Sequence, residues 1–177
     1  MINLHIGCGN NILNGWINID IAGNPEVKID IRNGLPYSSN TVDFIYNEHF
    51  IEHLTYEEAF NFLKESYRCL KEGGVIRIAT PGLDALIKSY NSKNWRDQDW
   101  LKDPGYNWIK TKGQMFNLSF RGWGHKYIYN EEDLTIQLKK AGFKNINRCE
   151  IAKSEYVYLQ NLETRKESTL ILEAEKT

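Results

Sequence analysis

The sequence predicts an α/β fold because two patterns alternate along its first 80 residues. Short apolar segments of strand length end in glycine or polar residues, and one longer segment repeats apolar residues at helical spacing. With 177 residues, 41% of them hydrophobic, the chain can bury about 70% of its unfolded surface around one core. We therefore expect a single domain over residues 1–177.

Seven strands are predicted from the apolar segments, each bounded by polar or glycine residues. The fifth ends before Pro81, because proline has no N–H to donate to a neighbouring strand. The predicted strands cover residues 2–6, 16–19, 27–31, 42–46, 75–79, 145–151 and 169–174.

Two helices are predicted from capping residues and apolar periodicity. The first follows Thr55, which forms a capping box with Glu58, and we expect it to end at the glycine pair at 73–74. The second follows Asn130, whose side chain can cap it, and stops at Gly142.

Composition and charge exclude several classes of protein. With 22 basic and 23 acidic residues the formal charge is -1, so no cationic field exists to hold nucleic acid. No apolar stretch approaches the ~20 residues needed to span a bilayer, and the first residues lack a signal-peptide pattern. Three cysteines without a Cys-x-x-Cys pair fit reduced thiols. We expect a cytoplasmic protein with no membrane partner.

Residues 91–127 differ in composition from the rest of the chain. They contain four of the five tryptophans and seven lysine or arginine residues against three aspartates, without a clear period. We expect an insertion or cover. It can cover one face of the sheet, bind a small anionic or sugar acceptor, or contact nucleic acid.

A glycine loop, Gly7-Cys8-Gly9-Asn10, directly follows the first predicted strand. Glycines let the backbone turn sharply and approach a ligand, and Asp20 ends the next strand, where a carboxylate can accept both ribose hydroxyls. A plain turn is the alternative, since a Gly-x-Gly occurs about once by chance in such a chain. The position after a strand favours a nucleotide-type cofactor.

The loop lacks the features that hold a pyrophosphate. The third glycine of a dinucleotide fingerprint is absent, and residues 11–15 are too few for a helix whose N-terminus receives the phosphates. S-adenosylmethionine has an adenosine and a sulfonium cation but no phosphate, so it does not need that helix. The sequence therefore favours S-adenosylmethionine.

Several stretches of the sequence form a recognisable series. They are LHIGCGN at 4–10, WINID at 16–20, Asp30, LPY at 35–37, TVDFIY at 41–46, EHL at 52–54, YRCLKEGG at 67–74 and IRIATP at 76–81. This series resembles class I methyltransferases of the type 11 group, in particular small bacterial members with an abbreviated first helix. The resemblance covers about residues 2–87 and resumes at 125–143. It implies a Rossmann-like, mostly parallel sheet with an antiparallel final strand and a truncated first helix.

The resemblance implies an enzyme that transfers the methyl group of S-adenosylmethionine to a small or glycan-type acceptor. A non-catalytic cofactor-binding or partner module of the same fold is the alternative. The cofactor-binding residues it implies are Gly7, Cys8 and Gly9 under the methionine part, Asp20 at the ribose, Asp30 and Ile31 at the adenine, and Asn47 and Glu48 beside the sulfonium.

Three histidines are candidate catalytic residues. His49 and His53 follow the fourth predicted strand, at the sheet edge where open α/β folds bind ligands, and the resemblance brings His125 back over the pocket. Each can take a proton from an attacking hydroxyl or amine. The alternatives are a capping or packing role for His53 and loop packing for His125.

Residues 49–53 also fit the pattern H-x-x-E-H, in which two histidines bind zinc and a glutamate activates water. The capping box at Thr55 leaves barely one helical turn under these histidines, and the spacing shows no third ligand. We therefore expect no metal site, and a zinc hydrolase is the remote alternative.

Overall fold

The computed structural model describes residues 1–177 as a seven-stranded sheet with four α-helices and several 3-10 turns. The strands are Asn3–Ile6 (β1), Ile17–Asp20 (β2), Val27–Lys28 (β3), Val42–Glu48 (β4), Leu70–Thr80 (β5), Lys144–Arg148 (β6) and Leu170–Glu175 (β7). The helices are Tyr56–Cys69 (α1), Leu83–Asn91 (α2), Lys112–Arg121 (α3) and Glu131–Ala141 (α4).

The sheet is mostly parallel, which confirms the predicted fold class. The strands lie in the order β3-β2-β1-β4-β5-β7-β6, and only β7 runs antiparallel to its neighbours β5 and β6. No helix connects β1 to β2, so the truncated first helix implied by the resemblance is reduced to turns. The carboxyl ends of β1, β2 and β4 meet at one edge of the sheet, where ligands bind in open α/β folds.

Two apolar clusters cover the two faces of the sheet. The larger contains 24 buried residues and packs α1 and α4 on one face through side chains such as Leu63 and Leu138. The smaller joins Trp16 and Tyr46 to Leu159, which lies in the irregular chain between β6 and β7. The second face is thus covered largely by irregular chain.

The predicted end of the first helix was wrong. α1 begins after Thr55 with the predicted capping box, but it ends at Cys69, and Leu70 already pairs with Val42 as part of β5. The buried Lys176 binds the carbonyl oxygens at this end, with Nζ 2.8 Å from that of Tyr67 and 2.9 Å from that of Leu70. A side chain from the end of the sequence therefore caps α1, which local sequence cannot reveal.

Further elements differ from the prediction, and α2 lies outside the two predicted helices. β3 stops at Lys28, because the Asp30 side chain accepts a hydrogen bond from the Arg32 N–H and caps a 3-10 turn. α3 lies inside residues 91–127, where we predicted no helix, and its capping box of Thr111 and Gln114 is the signal that was missed. α4 begins after Asn130 and ends at Gly142, as predicted. None of the helices is both long and apolar enough to cross a membrane.

Candidate active site

Two cavities open at the carboxyl edge of the sheet. The first, about 160 Å³, lies against the glycine loop, and we call it the glycine-loop cavity. The second, about 460 Å³, lies beside residues of the 91–127 segment, and we call it the aromatic cavity. His53 lines both, so the two cavities meet at this side chain.

The glycine loop has a backbone that other residues rarely adopt. Gly7 has φ +68° and Gly9 has φ +54°. A Cβ atom on Gly7 would lie 2.3 Å from Cδ2 of Phe50, so the ring leaves no room for any side chain there. Asp20 closes the loop, because its carboxylate accepts hydrogen bonds from the N–H groups of Gly9 at 2.8 Å and Ala22 at 2.9 Å.

The glycine-loop cavity combines carboxylates with apolar walls. Asp20 and Asp30 line it together with Ile19, Ile29 and Ile31, which suit the hydroxyls of a ribose and the flat faces of an adenine. Each oxygen of Asp20 accepts one N–H and keeps a further lone pair for a ligand hydroxyl. The residues present therefore fit an adenosine-containing cofactor.

Asp30 is held by its neighbour Arg32. The guanidinium donates to the carboxylate through Nε at 2.8 Å and Nη2 at 2.5 Å, and these hydrogen bonds hold the pKa of Asp30 below its usual value. The pair is exposed, so it adds little to stability, and both of its side chains line the cavity.

Four residues of the implied cofactor set do not line the glycine-loop cavity: Cys8, Gly9, Asn47 and Glu48. Cys8 is buried in the loop turn, and burial raises the pKa of its thiol, which leaves it unreactive. Asn47 is fully buried at the end of β4, and its amide has no hydrogen-bond partner in the protein.

Glu48 anchors a loop instead of facing the cavity. Its carboxylate accepts hydrogen bonds from the N–H and hydroxyl of Thr164, the N–H of Arg165 and the hydroxyl of Ser168, at 2.7 to 3.0 Å. Burial alone raises the pKa of Glu48, but these donors outweigh it and hold the pKa below its usual value. The loop donors occupy the carboxylate that the resemblance placed beside the sulfonium.

Three aromatic rings of the 91–127 segment line the aromatic cavity. Trp100, Tyr106 and Trp123 contact one another edge to face, with ring centroids 5.3, 5.5 and 5.8 Å apart. The Trp123 Nε1 donates to the Tyr106 hydroxyl at 3.0 Å. Of the segment's other tryptophans, Trp95 packs on a small apolar cluster and Trp108 is 53% exposed, and neither lines the cavity.

The fold brings together the three candidate histidines, since His49, His53 and His125 all line the aromatic cavity. The rings of His53 and His125 lie 5.1 Å apart, although 72 positions separate them in the sequence. The backbone carbonyl of Glu52 accepts the N–H of Lys126 at 2.8 Å, and this bond docks the chain around His125 against the turn that carries His53.

The tautomers of two histidines follow from their neighbours. His125 Nδ1 lies 2.7 Å from the carbonyl oxygen of Ser119, which can only accept, so Nδ1 carries the proton and Nε2 keeps a lone pair. His49 Nδ1 lies 3.4 Å from Oε1 of Glu52, and its Nε2 has no partner in the protein. Burial lowers the pKa of His49 to about 4, so this ring is neutral near pH 7.

Glu52 belongs to the H-x-x-E-H pattern, but it was not among the predicted catalytic residues and it lines neither cavity. It is fully buried, its Oε2 accepts a hydrogen bond from Thr80 at 2.9 Å, and its Oε1 has no hydrogen-bond partner. Burial raises the pKa of Glu52 to about 7. A buried carboxylate with one unbonded oxygen is costly unless a proton or a ligand occupies that oxygen.

Comparisons with known proteins agree with this geometry. The family model described as a methyltransferase domain matches residues 4–78, which include the glycine loop and most of β5. A methyltransferase from Archaeoglobus fulgidus, dependent on S-adenosylmethionine, has 20% identity and a TM-score of 0.57 over 98% of this chain and 85% of its own. No curated protein sequence matches this chain.

Two further solved structures share the fold. One, from Thermotoga maritima, is described as a possible histamine N-methyltransferase and is 16% identical, with a TM-score of 0.58, over 99% of this chain and 82% of its own. The other is phosphoethanolamine N-methyltransferase 2 from Haemonchus contortus in complex with S-adenosylmethionine. It is 16% identical, with a TM-score of 0.54, over 86% of this chain and 35% of its own.

The sheet order and the family match together define the class of protein. The structural neighbours establish the fold, and the matched segment contains the strands whose carboxyl ends form the glycine-loop cavity. Residues 4–78 therefore carry a methyltransferase domain, and the cofactor of such a domain is S-adenosylmethionine.

Proposed function

We propose that the protein methylates a hydroxyl group of a small or glycan-type acceptor bound in the aromatic cavity. One observation carries the proposal: His53 lines both cavities, so a ligand in the aromatic cavity meets the glycine-loop cavity beside the histidines. A methyl transfer needs donor and acceptor in line at about 3 Å in a site that excludes water.

The glycine-loop cavity supports donor binding through groups already described. Gly7 allows close approach of the backbone, Asp20 accepts the ribose hydroxyls, and Ile29 and Ile31 contact the adenine. S-adenosylmethionine supplies a methyl group on a sulfonium, which is a good leaving group. The protein therefore contributes mainly by positioning the two substrates.

The aromatic cavity suits a sugar ring. The edge-to-face cluster of Trp100, Tyr106 and Trp123 offers apolar faces to the C–H groups of a sugar, and the polar side chains of Ser89 and Gln98 line the same cavity. Its volume of about 460 Å³ lies within the range of small-molecule sites. Arg165 lines it as well, which favours an acceptor with an anionic substituent.

His49 is the proton acceptor in this proposal. As the acceptor oxygen bonds to the methyl carbon, the carbon–sulfur bond breaks, and the hydroxyl proton moves to Nε2 of His49. This nitrogen has no other partner in the protein, and Oε1 of Glu52 lies 3.4 Å from Nδ1 on the opposite side of the ring. In this proposal His53 and His125 position the acceptor at the junction of the cavities.

A titration with S-adenosylhomocysteine tests the donor half of the proposal. We expect saturable binding, and Asp20→Asn should weaken it by about 1–3 kcal/mol because the ribose hydroxyls lose a charged acceptor. Asp97→Asn, at an exposed position of the 91–127 segment, is the matched control and should bind like the wild type. Equal binding by Asp20→Asn would show that the carboxylate does not contact the cofactor.

A transfer assay with labelled S-adenosylmethionine and a panel of saccharides and small alcohols tests the acceptor half. Trp123→Ala should lower turnover at least tenfold and leave the affinity for S-adenosylhomocysteine within about 0.5 kcal/mol. Trp108→Ala, an exposed tryptophan outside the cavity, should match the wild type. Tight binding of S-adenosylhomocysteine without transfer to any acceptor would instead favour a non-catalytic module.

A further inference from the structure

We propose that Glu52, His53 and His125 form a binding site for one divalent transition-metal ion at the junction of the two cavities. One ligand atom from each of these residues lies within 4.8 Å of the others. From the sequence we expected no metal site, because the spacing of residues 49–53 showed no third ligand. The fold supplies that ligand from His125, far along the chain.

The site differs from the H-x-x-E-H pattern that the sequence suggested. His49 has φ +49°, and residues Ile51–His53 form a single 3-10 turn, so His49 and His53 do not share one face of a helix. His49 is also outside the group whose ligand atoms converge. The proposed site is therefore a Glu-His-His site that spans two segments of the chain and does not use His49 as a ligand.

Glu52 provides a second observation that points to a ligand. Its side chain is fully buried, and its Oε2 is held by the hydroxyl of Thr80 at 2.9 Å. Its Oε1 makes no hydrogen bond, although Nδ1 of His49 lies 3.4 Å from it. The carboxylate is therefore oriented through one oxygen and leaves the other available. A bound cation satisfies such an oxygen and offsets the cost of burying it.

His125 is oriented as metal-binding histidines usually are. The proton on Nδ1 is donated to the Ser119 carbonyl oxygen at 2.7 Å, which leaves the Nε2 lone pair for a ligand bond. Such hydrogen bonds fix the tautomer and the ring orientation of a ligating imidazole. The bond comes from the end of α3, so the 91–127 segment supports the site.

The ligand set indicates the class of metal. Two imidazoles and one carboxylate suit zinc, cobalt, iron or nickel better than magnesium or calcium, which prefer all-oxygen sites. Tetrahedral ligands at about 2.0–2.2 Å from a metal lie roughly 3.4 Å apart, so ligand atoms now within 4.8 Å of one another move together by up to roughly 1.4 Å on binding. Three protein ligands leave at least one coordination position open.

The open position gives the site a role that rests on the proposed function. His53 borders both cavities, so an acceptor hydroxyl in the aromatic cavity lies within reach of a metal ion held there. A metal ion held there would lower the pKa of a coordinated hydroxyl or water. The aromatic cavity would thus select acceptors with a hydroxyl that can coordinate the metal.

A spectroscopic titration of the chelator-treated full-length protein with Co²⁺ tests the inference independently of turnover. We expect one equivalent to bind, with visible absorption bands typical of nitrogen and oxygen ligands and a rise in melting temperature. His125→Ala and Glu52→Gln should each weaken binding at least tenfold. His49→Ala should keep the wild-type affinity within threefold, whereas the H-x-x-E-H pattern predicts loss of the metal.

The binding of S-adenosylhomocysteine by each variant separates misfolding from loss of ligands. His125→Ala lies at a partly exposed position, so it remains informative if Glu52→Gln fails to fold. The inference is overturned if the wild type binds S-adenosylhomocysteine but no Co²⁺, or if Co²⁺ binding is unchanged in His125→Ala. Stoichiometric Co²⁺ binding by a protein that transfers no methyl group would instead contradict the proposed function.

Discussion

Among single residues, Gly7 combines an unusual backbone conformation with close packing. Its backbone has φ +68°, which side chains with a Cβ rarely adopt, and the ring of Phe50 fills the space where that Cβ would lie. Phe50 in turn packs edge to face on Phe62 of α1. The approach of the glycine loop to the sheet edge is thus set by packing as well as by backbone freedom.

Gly7→Ala should therefore lose both stability and cofactor binding. Backbone strain of about 1–2 kcal/mol and overpacking of about 1–3 kcal/mol add together at this position. Gly15→Ala is the matched control, because Gly15 has φ +79° but no atom lies within 4 Å of the point that its Cβ would occupy. Urea unfolding should show the larger loss for Gly7→Ala, and only this variant should bind S-adenosylhomocysteine more weakly. Equal losses would mean that contact with Phe50 is unimportant.

Among the secondary-structure elements, loops hold positions that helices occupy in other α/β folds. The loop of residues 164–168 is fixed by the Glu48 carboxylate at the end of β4, and it carries Arg165 to the aromatic cavity. The turns between β1 and β2 likewise replace a first helix. We expect both arrangements to affect ligand binding, because loops above a rigid sheet commonly determine specificity.

Glu48→Gln should destabilise the protein by about 1–3 kcal/mol, since an amide cannot accept all four hydrogen bonds. The carboxylate has a lowered pKa in the folded state, so its contribution is complete above the unfolded value of about 4.3. It is lost as the pH falls through the lower folded value. Urea unfolding from pH 3 to 7 should show the difference from wild type shrink only at the acidic end.

Glu155→Gln is the control for this pH dependence, because Glu155 is exposed and makes no hydrogen bond through its carboxylate. It should match the wild type throughout the range. A constant difference between Glu48→Gln and the wild type down to pH 3 would contradict the assigned role of the Glu48 charge.

The missing helix after the glycine loop predicts which nucleotides compete for the site. A pyrophosphate requires the N–H groups and the dipole of a helix N-terminus, and only turns follow Gly9. NADH should therefore leave the calorimetric titration with S-adenosylhomocysteine unchanged, whereas adenosine should compete weakly. Displacement by NADH at comparable concentration would show that another element binds the phosphates.

Across the molecule as a whole, a buried ion network joins the tail of the chain to the centre of the sheet. Arg77 of β5 donates to Glu163 at 2.5 Å and to Glu173 of β7 at 2.6 Å. It also donates to the carbonyl oxygens of Lys153 and Glu150. The guanidinium therefore links the antiparallel β7 and the irregular chain before it to the parallel part of the sheet.

Arg77→Met should destabilise the protein by about 3–5 kcal/mol, because two buried carboxylates lose their partner. For a chain of this length the melting temperature should fall by roughly 6–20 °C. Arg121→Met, at an exposed position without an ion pair, should stay within about 0.5 kcal/mol of the wild type. Calorimetric melting of the two variants distinguishes them, and an unchanged melting temperature for Arg77→Met would refute the structural role.

Features that depend on neighbouring residues could be predicted from the sequence. Thr55 and Asn130 start α1 and α4 through hydrogen bonds that span only three residues, and the alternation of apolar segments predicts the parallel strands. The glycine loop and Asp20 belong to the same category, because a strand, a tight turn and a carboxylate follow one another within 20 residues. The class of cofactor could therefore be predicted from local order.

Features that depend on distant residues emerge only when the chain folds. Lys176 ends α1, Thr164 engages Glu48, and His125 meets His53, each across more than 70 positions of the sequence. Side-chain contacts of this kind arise from the order of the strands and from packing, so the local periodicity of the sequence does not predict them. Short stretches of sequence therefore predict the cofactor class. The metal site that we propose depends instead on the tertiary structure, because only the fold brings His125 to the sheet edge beside His53.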